Sequence, residues 1–246
     1  MMRTITLLRS RFLLVLMLMS AVCFAQGWKQ KANFSGGQRA YAFSFVVGNR
    51  AFMGTGLNPA QVNNDFWEYD AANDTWMQRA AFIGQARYSA VAFTIGAKGY
   101  VGTGASVHLI GSANFYEYDP ATNTWRIRTS LINGFQRLGG VGFAIGAKGY
   151  IGLGRNNTSF KNDLWEYDPA TNKWVQRANY PGLACADATA FTIGTKAYVG
   201  LGYNATTAFR NFYEFDPSPT IYPLPFTAKD IADFRIGPVK FIFLFH

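Results

Sequence analysis

After residue 25 the apolar positions fall in runs of about five residues separated by turn-forming residues, and no stretch carries the 3.6-residue spacing of an amphipathic helix. One stretch shows the pattern. Ala90 to Ile95 predicts a strand, Gly96-Ala97-Lys98-Gly99 a turn, and Tyr100 to Gly104 a second strand ending in paired glycines, where backbones bend or approach closely. After a loop, Phe115 to Tyr118 predicts a third strand. Asp119-Pro120-Ala121-Thr122-Asn123 then makes a tight turn in which Pro fixes φ and Asp and Asn bond local backbone, and Thr124 to Arg128 is the fourth strand.

That unit is written four times. Asp65-Phe66-Trp67-Glu68-Tyr69-Asp70 recurs from Asn114, Asp163 and Asn211, at spacings of 49, 49 and 48 residues. Trp28, Trp76, Trp125 and Trp174 recur at 48, 49 and 49, and the Gly-x-Gly pairs beginning at Gly54, Gly102, Gly152 and Gly200 at 48, 50 and 48. Independent columns sharing one period exclude chance. Four strands per unit, apolar on both faces, must be sheets covered on both sides by neighbouring sheets, which is the blade of an all-β β-propeller built from four-stranded antiparallel blades.

These residues resemble the kelch-repeat family, the galactose-oxidase-like propellers, in an exported bacterial-type form: a glycine pair after the second strand, an aromatic in the third and a Trp in the fourth. The resemblance runs from about Trp28 to Asp216 and departs in having Gly-x-Gly where the family usually has adjacent glycines. Trp28 to Phe34 matches the fourth strand of a blade lacking its first three, and the resemblance implies closure by a terminal strand that completes a blade from the other end. The fourth unit runs out beyond Asp216, with Tyr222 where Trp is expected, in a Pro-studded stretch. Residues 223–246 read as a degenerate segment, either a decayed fifth blade or an unrelated strand. The repeat region 26–222 therefore stays open to three readings: a four- or five-bladed ring, an incomplete product of an interrupted frame, or half of an assembly.

Residues 1–25 belong to transport. Arg3, Arg9 and Arg11 precede an apolar run, Phe12 to Met19, and Cys23-Phe24-Ala25 ends in the pattern of a secretory cleavage site. The run is too short to span a bilayer, so no stable membrane insertion of the mature chain is expected, and the location is secreted or periplasmic. Cleavage lowers the formal charge from +9 to +6 and leaves Cys185 as the one cysteine, so the domain holds together without internal disulfides. At 15% charged and 17% aromatic residues the chain is neither a disordered tail nor a basic arm. Most of its charge lies in repeat columns, and export argues against a nucleic-acid partner.

The loops between second and third strands, Leu57 to Asn64, Ala105 to Ala113, Arg155 to Asn162 and Tyr203 to Arg210, differ from unit to unit, and binding is expected at their end of the scaffold. The same end should hold Arg39, Arg87 and Arg137 at the starts of first strands, with Cys185 in that column in the fourth unit. A ring of Arg would grip carboxylates or phosphates through bidentate bonds; the structural reading has each Arg bonding carbonyls of its neighbouring blade. Glu68, Glu117, Glu166 and Glu214 recur once per unit and are expected to pair with Arg79, Arg128 and Arg177 rather than to catalyse. His108 and His246 do not supply the copper ligands of galactose oxidase, so no cofactor, no metal and no catalytic residue is expected, and Cys185 reads as a buried core residue. The expected function is a non-catalytic module binding an extracellular or periplasmic protein or glycan. The alternative is a carbohydrate-active enzyme using loop carboxylates such as Asp65 or Asp163.

Overall fold

Each unit folds as an antiparallel meander in which the first strand lies innermost. In the computed structural model, which describes residues 27–108, 111–131 and 136–218, the first sheet is β1 (Phe43–Val47), β2 (Arg50–Gly54), β3 (Phe66–Asp70) and β4 (Thr75–Gln78). The second is β5 (Val91–Ile95), β6 (Lys98–Gly102), β7 (Phe115–Asp119) and β8 (Thr124–Arg128). The third is β9 (Val141–Ile145), β10 (Lys148–Gly152), β11 (Leu164–Asp168) and β12 (Lys173–Arg177). The fourth has three described strands, β13 (Thr189–Ile193), β14 (Lys196–Gly200) and β15 (Phe212–Phe215). Successive inner strands touch, β1 on β5, β5 on β9 and β9 on β13, so the sheets fan about one axis as propeller blades. Among the described residues no strand of blade four touches a strand of blade one.

Strand positions follow the sequence pattern closely, and the differences are instructive. Ile95 pairs with Lys98, so the first turn is a two-residue hairpin led by Gly96 at φ 58°, and β6 starts two residues before Tyr100. Trp28 to Phe34 forms no strand here, because the three strands it would extend are not beside it. The transport segment 1–25, Tyr222 and residues 223–246 lie outside the described residues.

The interfaces between blades are the core. Phe43, Phe45, Phe52 and Phe66 of blade one bury their rings against Val101, Tyr116, Tyr118 and Trp125 of blade two. Val91, Phe93, Tyr100 and Phe115 repeat this against Ile151, Trp165, Tyr167 and Trp174 of blade three. Trp125 shows how the fourth-strand Trp is used. Its ring lies 4.9 Å from Phe66, 5.1 Å from Phe82 and 4.9 Å from Tyr118, and its indole N–H donates to Ala80 O at 3.0 Å. Trp174 donates in the same way to Thr129 O at 2.7 Å.

Asp119 bonds local backbone as expected, accepting from Ala121 N at 2.9 Å, but Asn123 does not. Its Oδ1 accepts from Tyr118 Oη within the blade and from Ala80 N of the preceding connection, and Asn172 serves Tyr167 and Thr129 in the same way. The turn residue is thus an interblade clasp.

The Gly-x-Gly pair divides two tasks. A Cβ on Gly54 would lie 2.8 Å from Asp65 O, so the first glycine makes room. The left-handed conformation belongs to the next two residues, Thr55-Gly56 at φ 60° and 88° and Thr103-Gly104 at 61° and 84°. A β-branched residue is strained there, and the buried Oγ1 atoms of Thr55 and Thr103 have no hydrogen-bond partner. Thr103→Gly should therefore stabilise the protein by about 1 kcal/mol, because relief of strain and of a desolvated hydroxyl exceeds the added chain entropy and the lost methyl burial. An unchanged or lower urea midpoint would contradict this.

Candidate binding site

The variable loops and the Arg column do share one end. In each blade the loop after the second strand bridges back to the lead-in of the first: Ala40 pairs with Leu57 and Leu57 with Val62, Tyr88 with Ala105 and Ala105 with Gly111. Three interior arginines stand beneath these loops, held in unlike ways. Arg137 is fully buried, and its Nη1 and Nη2 each donate to a carboxylate oxygen of Asp163 at 2.8 Å, while Nη1 also reaches Leu153 O. Arg39 grips Asp65 in the same fashion, with a second contact to Thr55 O. These side chains bond within their own blades, which corrects the expectation that they bond a neighbouring blade's carbonyls. The interblade link comes from the backbone instead: Gly56 N donates to Arg87 O and Gly104 N to Arg137 O.

Blade two breaks the pattern. The column that carries Asp65 and Asp163 holds Asn114, whose amide donates to Tyr116 Oη rather than serving the arginine. Arg87, only 2% exposed, donates to Thr103 O, Gln85 O and Ser112 Oγ, and stands 4.9 Å over the ring of Phe82 and 5.4 Å over that of Tyr116. No carboxylate among the described residues pairs with it, and residues 109–110 and 132–135 nearby in sequence include no acid. Burial pulls its pKa down, partly offset by Tyr116, the mark of a cation without a full counter-charge. Beside it opens a cavity of about 370 Å³, lined by Arg87, Gln85, His108, Ser112, Asn114 and Gln136. His108, a loop residue, stands on this wall. In blade four Cys185 replaces the arginine, buried as expected, with its thiol against Leu201 O and its pKa pushed up by burial.

The repeated carboxylates are occupied by the scaffold. Glu117 accepts from Lys98, Tyr100 and Arg128, and Glu166 from Tyr150 and Arg177, so the pairing with fourth-strand arginines holds. Burial raises the pKa of Glu117, but Lys98 and Arg128 outweigh it and the net shift is downward. Asp163 is likewise raised by burial and lowered further by Arg137, and it also accepts from Trp165 Nε1 at 2.7 Å. A carboxylate held ionised by a bidentate arginine is a poor general acid, so Asp65 and Asp163 do not suit that role. Among the described residues no group of three His, Cys, Asp or Glu side chains comes together in a way that would hold a metal ion.

No protein-family model and no curated protein matches the chain. Many solved structures do. One of them, described as the structure of YjhT, superposes with a TM-score of 0.63 at 18% sequence identity, over 72% of this chain and 63% of that one. The chain thus spans less than two thirds of that protein's length, and the likeness is one of fold.

Proposed function

We propose that this protein is an exported, kelch-like propeller that binds a protein or glycan ligand through a carboxylate seated on Arg87. Blade two carries the reading: a buried guanidinium faces a polar cavity where its two sister arginines face Asp65 and Asp163. A ligand carboxylate would supply the group that Asn114 withholds, in the bidentate geometry that Arg137 already makes with Asp163. His108, Ser112 and Gln136 stand around the cavity to bond the rest of the ligand. The leader with Arg3, Arg9 and Arg11 before its apolar run supports export, and the column pattern supports kelch character.

The test is an array of acidic glycans and acidic peptides beside their neutral counterparts. Acidic ligands should bind, and Arg87→Met should abolish binding. Asn114→Asp should abolish it too, because the new carboxylate pairs with Arg87 from within, and this variant should be at least as stable as the parent. Acidic-ligand binding that survives both substitutions would overturn the proposal.

A further inference from the structure

We infer that a second copy of this chain completes blade four, with Trp28 as the anchor. Blades one to three have four strands, whereas the described part of blade four has three, with β15 at its edge. Beside that edge lies a cavity of about 320 Å³. Its walls include Val141, Leu164, Ala178, Tyr180 and Phe215, the column equivalents of Phe43, Phe66, Ala80, Phe82 and Tyr118. Those five residues surround Trp125 in blade two. The cavity is therefore the seat of a fourth-strand tryptophan, complete with the carbonyl column of Ala178 to receive the indole N–H.

Trp28 belongs to the column of Trp76, Trp125 and Trp174, yet it is fully exposed, and among the described residues Gly27 to Gln30 join no strand. In the observed register Tyr69, Tyr118 and Tyr167 face Trp76, Trp125 and Trp174, and Phe115 and Leu164 face Arg128 and Arg177. The same register sets Trp28 opposite Phe215 and Lys31 opposite Phe212. Charge agrees with it. Glu68, Glu117 and Glu166 each bond an arginine from the fourth strand, while the partners of Glu214 among the described residues are Lys196 and Tyr198. Lys31 stands in that arginine column, engaged only by a long 3.4 Å contact to Asp74. Beyond the strand, the exposed Phe191, Ile193 and Phe212 would meet Met53, Trp67 and Trp76 on the open face of blade one of the second copy.

Two observations favour the second copy over segments of the same chain. The segment following β15 carries Pro223 and Pro225 in the columns of Met77 and Arg79. Arg79 N donates to Phe66 O at 2.9 Å and Met77 has the same inward parity, so both prolines lack an N–H that the ladder uses. The chain's own Trp28 is tied to blade one, where Ala32 bonds both Asp74 and Trp76. Four residues from Ala32 reach at most about 14 Å, and among the described residues no strand of blade one touches a strand of blade four. The contact joins unlike surfaces on the two copies, so it runs head to tail.

In a Cys23→Ser background, Gln30→Cys and Tyr213→Cys place thiols at a directly facing pair of that register. Mixed under oxidising conditions, the two single variants should give a disulfide-linked pair of chains, which neither gives alone. Light scattering of the parent protein should show two or more copies, and Trp28→Ala should weaken association at least about tenfold. Because Trp28 is exposed in the single chain, that variant keeps the fold. A parent of single-chain mass with no cross-link between the variants would overturn the inference. So would a double variant Gln30→Cys/Tyr213→Cys that closes within one chain, since the strand would then come from the same molecule.

Discussion

Asp163→Asn is expected to destabilise the protein by about 3–5 kcal/mol, the usual cost of stripping one partner from a buried ion pair. The side chain keeps its shape but loses its charge, and the buried Arg137 guanidinium, which donates two 2.8 Å bonds to that carboxylate, keeps its own. Urea unfolding at neutral pH measures the loss, and a change below about 1 kcal/mol would place the pair among those that merely break even. The effect should also depend on pH. The folded-state pKa of Asp163 lies below the ordinary value, because Arg137 outweighs the upward push of burial. The stability it contributes is therefore complete above the unfolded carboxyl value near 3.9 and disappears as pH falls through the lower folded value. The gap between parent and variant should stay constant down to about pH 4 and narrow below it.

Phe66→Ala should cost about as much, 3–5 kcal/mol by the usual toll of removing a buried ring. Phe66 is fully buried among Phe43, Phe45, Phe52, Tyr118 and Trp125, so the void is walled by aromatic rings from two blades that close poorly on it. Phe212 occupies the same column of blade four but is 50% exposed, and in the dissociated chain Phe212→Ala should cost less than about 1 kcal/mol. Denaturation of both variants at low protein concentration makes the comparison, and equal losses would contradict this account of the interfaces.

That pair of substitutions marks the limit of what a repeat reveals. Period and columns were enough to identify blades, to set the strands within a residue or two, and to pair Glu68, Glu117 and Glu166 with Arg79, Arg128 and Arg177, because each is a local relation repeated under the same sheet geometry. The Arg column was legible as well, but its partners were not. Arg137 and Asp163 are 26 residues apart and meet only when the loop end of the blade folds over them. One sequence signal did distinguish the site, the change from Asp65 and Asp163 to Asn114, and it acquires meaning only once those acids are seen gripping arginines. His108 is a plain loop residue until its loop is placed on the wall beside Arg87.

The sequence by itself determined the all-β repeat, the four units and the face on which the loops vary, since these follow from strand alternation, turn residues and a fixed period. Only the tertiary structure decided which equivalent residues are alike in fact. A column fixes what a side chain is, whereas burial and counter-charge depend on the neighbouring blade. The same sequence element is therefore core at Phe66 and surface at Phe212, and the same arginine is neutralised at Arg137 and left facing a cavity at Arg87.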